Sequence, residues 1–172
     1  AIFFFIGRET LPLFRSARSQ LLQSGQWPMA EGNRAPVLVG LDEYETYAYA
    51  LDATDSALQF LTVADWKPYT NLPLAKLQGH PITTAYRTPS RDHLYIGTAD
   101  GHILAMQVKF RVGYADGGRQ VTPYLGEMKL VQVSESGAAV RAIHGRANES
   151  SGVEHVAVAL ADGKLYTVKL EE

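Results

Sequence analysis

A mainly β domain of blade-like sheets is what this sequence predicts, and three observations predict it. From Val37 onward apolar and polar residues alternate with a period of two, in segments enriched in Tyr, Val, Thr and Ile and bounded by Asp, Gly, Asn and Pro. Two segments match at an offset of 62, from Asp100 to Asp162: Leu94-Tyr95-Ile96-Gly97-Thr98-Ala99-Asp100-Gly101-His102-Ile103-Leu104-Ala105-Met106 and Val156-Ala157-Val158-Ala159-Leu160-Ala161-Asp162-Gly163-Lys164-Leu165-Tyr166-Thr167-Val168. Each is a hairpin turning on Asp-Gly, and each is apolar on both faces, which calls for sheets packed above and below.

The elements follow in chain order. Residues 1–25 form a first region, with an apolar run at Ala1-Ile2-Phe3-Phe4-Phe5-Ile6. A membrane-spanning helix needs about 20 such residues, and the layout of a secretory signal is missing. The run is therefore either the start of a buried strand or helix, or the trailing end of a membrane helix. A short amphipathic helix follows, capped by Thr10, with Pro12 in its first turn, Phe14, Ala17 and Leu21 on one face, and Gly25 at its end. Arg8, Arg15 and Arg18 weakly favour a cytoplasmic side if that segment follows a membrane helix.

Residues 26–172 form the β-rich region. A weaker third copy of the hairpin runs from Val37 to Leu51, with Gly40 lying 57 positions before Gly97. A two-residue type I′ turn at each Asp-Gly sets Gly97 opposite Leu104, Tyr95 opposite Met106, Ala159 opposite Tyr166 and Leu160 opposite Leu165. Beyond the first hairpin, Leu104, Met106, Val108, Phe110, Val112 and Tyr114 alternate along one long strand, which breaks at Ala115-Asp116-Gly117-Gly118 and returns through Tyr124 to Val133. A repeat near 57 to 62 residues suits a blade. Three blades do not close a propeller, which typically has about 4 to 8. The chain is then part of a larger propeller-like domain, half of a ring completed by a second copy, or an open β-sandwich or roll.

Composition excludes several functions. With 16 Lys and Arg against 18 Asp and Glu the net charge is −2, so there is no basic field to draw a nucleic acid backbone. The absence of cysteine removes disulfides, thiolate catalysis and zinc-thiolate sites. His80, His93, His102, His144 and His155 offer imidazoles, yet none has the spacing of a zinc motif. Asp42, Glu43, Glu45, Asp52 and Asp55 could gather around calcium, but their spacing fits no calcium loop and suits a solvated turn. Tyr44, Tyr47, Tyr49, Trp66 and Tyr69 suit either a recognition surface or, first, core packing. Asn148-Glu149-Ser150 is a glycan acceptor only in a eukaryotic secretory setting. Neither a nucleophile elbow nor a phosphate-gripping loop is present. The expectation is a non-enzyme with no catalytic, cofactor-binding or metal-ligating residue assigned.

The stretch Ile2-Phe3-Phe4-Phe5-Ile6-Gly7-Arg8-Glu9-Thr10-Leu11-Pro12-Leu13-Phe14-Arg15-Ser16-Ala17 resembles the segment leaving the first membrane helix in an enlarged subgroup of bacterial phosphate-type ABC transporter permeases. The carrying feature is an aromatic-rich helix end, an acidic residue, then Leu-Pro-Leu-Phe. The resemblance implies a WD40-like or quinoprotein-like β domain inserted on the periplasmic side of an inner-membrane permease. Its implied partners are the second permease, the ATPase and the periplasmic binding protein, and its implied work is docking, gating or assembly. No transport residue carries over, because the family's translocation path lies in its membrane helices. The alternative is a free-standing periplasmic scaffold that binds proteins.

Overall fold

The computed structural model describes residues 20, 21, 24, 35–89, 92–115, 118–148 and 152–171. Their architecture is three antiparallel sheets with strands paired almost entirely in chain order. Sheet I is the meander β1 (Leu38–Leu41), β2 (Tyr47–Leu51), β3 (Ala57–Thr62) and β4 (Pro68–Pro73). A 3-10 turn, Ala75–Leu77, leads to sheet II: β5 (Ile82–Arg87), β6 (His93–Thr98), β7 (His102–Ala115), β8 (Gly118–Leu125) and β9 (Lys129–Gln132). Sheet III is β10 (Val140–Asn148), β11 (Val153–Leu160) and β12 (Leu165–Leu170). Among the described residues the chain is mainly β, and no sheet closes into a barrel. The helix expected from Thr10 to Gly25 falls outside the described residues apart from Gln20, Leu21 and Ser24, which carry no regular secondary structure.

The period-two pattern explains the stacking. On sheet II, Leu94, Ile96, Leu104, Met106 and Val108 point to one side, where they join Tyr47, Tyr49, Leu51, Leu58 and Phe60 of sheet I in one core. The intervening residues Tyr95, Ile103 and Ala105 point the other way and join Val140, Ile143, Val156, Val158 and Leu160 of sheet III in a second core. The hairpin from Leu94 is therefore clamped on both faces, and β6 has no exposed residue. Across the seams β10 lies against β5 and β6, and β1 against β5. This stacking of antiparallel sheets suits blades and an open β-sandwich alike.

Several expectations need correction. Neither Asp100 nor Asp162 has the positive φ that a type I′ turn demands; only Gly101 (φ 81) and Gly163 (φ 84) do. Each loop holds three residues, closed by Gly101 N–H to Thr98 O at 3.5 Å in one and Gly163 N–H to Leu160 O at 3.1 Å in the other. That is a type I turn with a glycine bulge. Cross-strand partners move by one residue, so Gly97 faces Ile103, Tyr95 faces Ala105 and Ala159 faces Leu165. The weaker third copy, Val37 to Leu51, matches the first hairpin out of phase by one strand. Gly40 lies on the first strand of its sheet, whereas Gly97 lies on the second. The return expected after Gly118, through Tyr124 to Val133, is made by two strands: β8 lies along the outer half of β7, and β9 along its inner half. Between them residues 126–128 oppose only Met106 and Gln107, a bulge that leaves Leu125 and Leu130 on the same side of the sheet.

Candidate functional site

The seams between sheets carry the polar chemistry. In the first seam Arg87, the last residue of β5, donates through Nε to the Tyr49 hydroxyl at 2.9 Å and through Nη2 to the Leu41 carbonyl at 3.2 Å. Asp92 pairs with the same guanidinium. Burial, reinforced by the Asp92 charge, pushes the Tyr49 phenol above its ordinary range. A cleft of about 590 Å³ opens beside this group, lined by Leu41, Glu43, Arg87, Asp92, Lys109 and Tyr124. In the second seam the Tyr95 hydroxyl donates to Glu154 Oε2 at 2.7 Å, while His93 Nδ1 stands 3.8 Å from the same oxygen and Lys129 Nζ 3.9 Å from Oε1. Burial pushes the Glu154 carboxyl up, and His93, Tyr95 and Lys129 together more than reverse this, holding it below its usual value. A smaller cleft of about 390 Å³ lies above, between Tyr86, Thr88, His93, His144 and Arg146. Both groups join one sheet to the next through a fully buried tyrosine of the second strand.

At the opposite end of sheet II, the β6–β7 turn meets the residues entering β5. Ala99 N–H donates to the Pro81 carbonyl at 2.8 Å, which brings His80 beside the turn. Asp100 Oδ1 accepts from Thr98 Oγ1 at 2.6 Å, and its Oδ2 lies 2.6 Å from His80 Nδ1 and 3.2 Å from His102 Nδ1. The two imidazole centroids are 4.5 Å apart. His102 Nδ1 is buried and has no hydrogen-bond partner among the described residues. Burial raises the Asp100 carboxyl, but the bonds from Thr98 and His80 and the nearness of both histidines bring it below its normal value. Sequence spacing missed this group, because His80 stands 20 residues from Asp100. The signal lay in the topology: in a three-strand meander, the residue before the first strand sits beside the turn between the second and third.

The other candidates disperse. Asp42 is 2% exposed and accepts the amides of Thr46 and Tyr47, each at 2.7 Å, making it the organiser of the β1–β2 turn. Asp52 and Asp55 lie at the other end of β2, bonded to Thr54 and Gln59, so the acidic residues do not converge. Tyr47 and Tyr49 are core residues. Tyr47 also donates to the Val121 carbonyl at 3.0 Å and stacks on the half-exposed Tyr69. Tyr44 lies under the Arg119 guanidinium, and Trp66 sits in a turn at φ 56. His144 packs against Tyr86, and His155 is exposed. Asn148 ends β10, while Glu149 and Ser150 lie outside the described residues.

Sheet III presents the remaining feature. Its residues facing away from sheet II include Ala157, Ala159 and Leu165, paired across β11 and β12 and flanked by His155 and Lys169. By the 62-residue offset these apolar positions correspond to Tyr95, Gly97 and Ile103 of sheet II. Ile103 is fully buried, and the Val140 side chain lies directly over Gly97. Leu165 is 81% exposed. The second face of the hairpin from Val156 is thus open among the described residues, in contrast to the hairpin from Leu94. No family model, curated protein or solved structure matches this chain.

Proposed function

We propose that the chain is a docking domain without chemistry of its own, the extracytoplasmic β domain of the permease subunit of a phosphate-type ABC importer, which assembles by stacking a further sheet of the same build onto sheet III. One observation carries the docking reading: Ile103 is buried by sheet III, while its counterpart Leu165 is 81% exposed. The occupant that suits the vacant side is an antiparallel sheet whose leading strand sets a β-branched side chain over Ala159, as β10 sets Val140 over Gly97. The flanking His155 and Lys169 form a polar rim beside this apolar centre. The charged groups of both existing seams are paired with each other, which favours structural roles for them.

The permease assignment rests on the resemblance of residues 2–17, with its Leu11-Pro12-Leu13-Phe14 core. It sets the domain on the periplasmic face of the inner membrane, beside a second permease, an ATPase and a binding protein. The deciding experiment removes residues 35–171 from the full-length permease and measures phosphate uptake together with co-purification of the other subunits. Loss of both is expected; normal uptake with normal assembly would sink the proposal. Leu165→Asp in the same protein is expected to weaken assembly while leaving the fold intact.

A further inference from the structure

We infer that His80, Asp100 and His102 form a binding site for one divalent transition metal ion, of which zinc is the best fit. Two imidazole nitrogens and one carboxylate oxygen converge from two separate chain segments, His80 ahead of β5 and Asp100 with His102 in the β6–β7 turn. Their ligand atoms all lie within 4.8 Å of one another. A tetrahedral zinc at about 2.0–2.1 Å from each ligand holds neighbouring ligand atoms about 3.3 Å apart. The His102–Asp100 separation of 3.2 Å already meets this, and the 2.6 Å between His80 and Asp100 need only widen slightly. His102 Nδ1 supplies the second indication, since it is buried, turned toward the carboxylate and without a hydrogen-bond partner among the described residues. A cation between the three atoms satisfies that nitrogen and removes the crowding on Oδ2.

The repeat provides an internal control. In sheet III the equivalent turn keeps its aspartate, Asp162, and Ala161 N–H bonds the Ala139 carbonyl at 2.8 Å as Ala99 bonds Pro81. There the histidine positions are Ala138 and Lys164, and Lys164 neutralises Asp162 at 3.3 Å. An aspartate is therefore all the turn requires. The pair of imidazoles is particular to sheet II. Nitrogen and carboxylate ligands select zinc and its first-row neighbours over calcium or magnesium. Three protein ligands leave the fourth position to water or to a group from a partner. The side chains are 24%, 40% and 21% exposed for His80, Asp100 and His102, so solvent and ion can enter. A bound ion would pin the entry to β5 against the turn on which residues 134–138 rest, steadying the chain's passage into sheet III.

Calorimetric titration of the chain with Zn²⁺ tests this, with Co²⁺ as a spectroscopic probe of a nitrogen- and oxygen-ligated site. One ion per chain is expected. Loss of even an outer-sphere partner commonly weakens metal binding about 10- to 100-fold, so His80→Ala and His102→Ala should each weaken it by at least about 100-fold, whereas His155→Ala should leave it unchanged. Zn²⁺ should raise the unfolding temperature of the unsubstituted chain and not of the first two variants. Because a variant could fail to fold, anomalous diffraction from crystals of the unsubstituted chain grown with Zn²⁺ provides the independent reading. An ion within bonding distance of His80, Asp100 and His102 supports the site. No saturable binding, binding indifferent to both substitutions, or an ion found only elsewhere overturns it.

Discussion

Gly145 on β10 permits the closest approach in the second seam. A Cβ there would stand 2.2 Å from Cε2 of Tyr95, whose ring is fully buried and cannot retreat. Gly145→Ala should therefore cost about 1–3 kcal/mol in urea unfolding and loosen the Tyr95–Glu154 bond. Glu154 sets a pH dependence of definite sign. Its folded-state pKa lies below the ordinary 4.5, so its contribution is complete above that value and is lost as the pH falls from about 4.5 through the folded-state pKa. Glu154→Gln should flatten the acid limb of a stability-against-pH curve; an unchanged limb would show that the carboxylate contributes nothing. At this scale core packing was the first expectation for the aromatic residues from Tyr44 to Tyr69, and Tyr47 and Tyr49 meet it while Tyr69 is 46% exposed. The partners of the Tyr47 and Tyr49 hydroxyls were not legible, since Val121 and Arg87 come from distant segments.

At the scale of elements, the two Asp-Gly turns form a matched pair. Gly163 has φ 84 and open space where a Cβ would go, so Gly163→Ala should cost only backbone strain, about 1–2 kcal/mol. Gly101 has φ 81, and a Cβ there would meet Ser134 Cβ at 2.6 Å and the Ala138 carbonyl at 3.0 Å. Gly101→Ala should lose a further ~1–3 kcal/mol, and equal losses in the two variants would remove the packing of residues 134–138 on the turn. Hairpins were legible here and their register was not. The same dipeptide serves a two-residue type I′ loop and a three-residue loop with a glycine bulge, and tertiary packing selects between them. The split of β8 from β9 was hidden for a similar reason, because a bulge preserves the apolar face while breaking the strand.

For the whole molecule, stacking was the most legible property, since residues 94–106 are apolar on both faces and lie between two sheets. The His80–Asp100–His102 group was illegible because it exists only once strand order is known. Leu165→Asp should change stability by no more than about 0.5 kcal/mol, as surface substitutions do, and yet reduce association with a partner sheet. A concentration-dependent dimer of the chain, abolished by the same substitution, would instead name a second copy as the occupant.

Strand β6 has neighbours on both edges, β5 and β7, and covered faces above and below. Its amide protons have no route to solvent short of global opening, so in deuterated water they should exchange last, at a rate that reports the unfolding free energy of the entire molecule. The amides of β12, on the margin of sheet III, should be replaced far sooner.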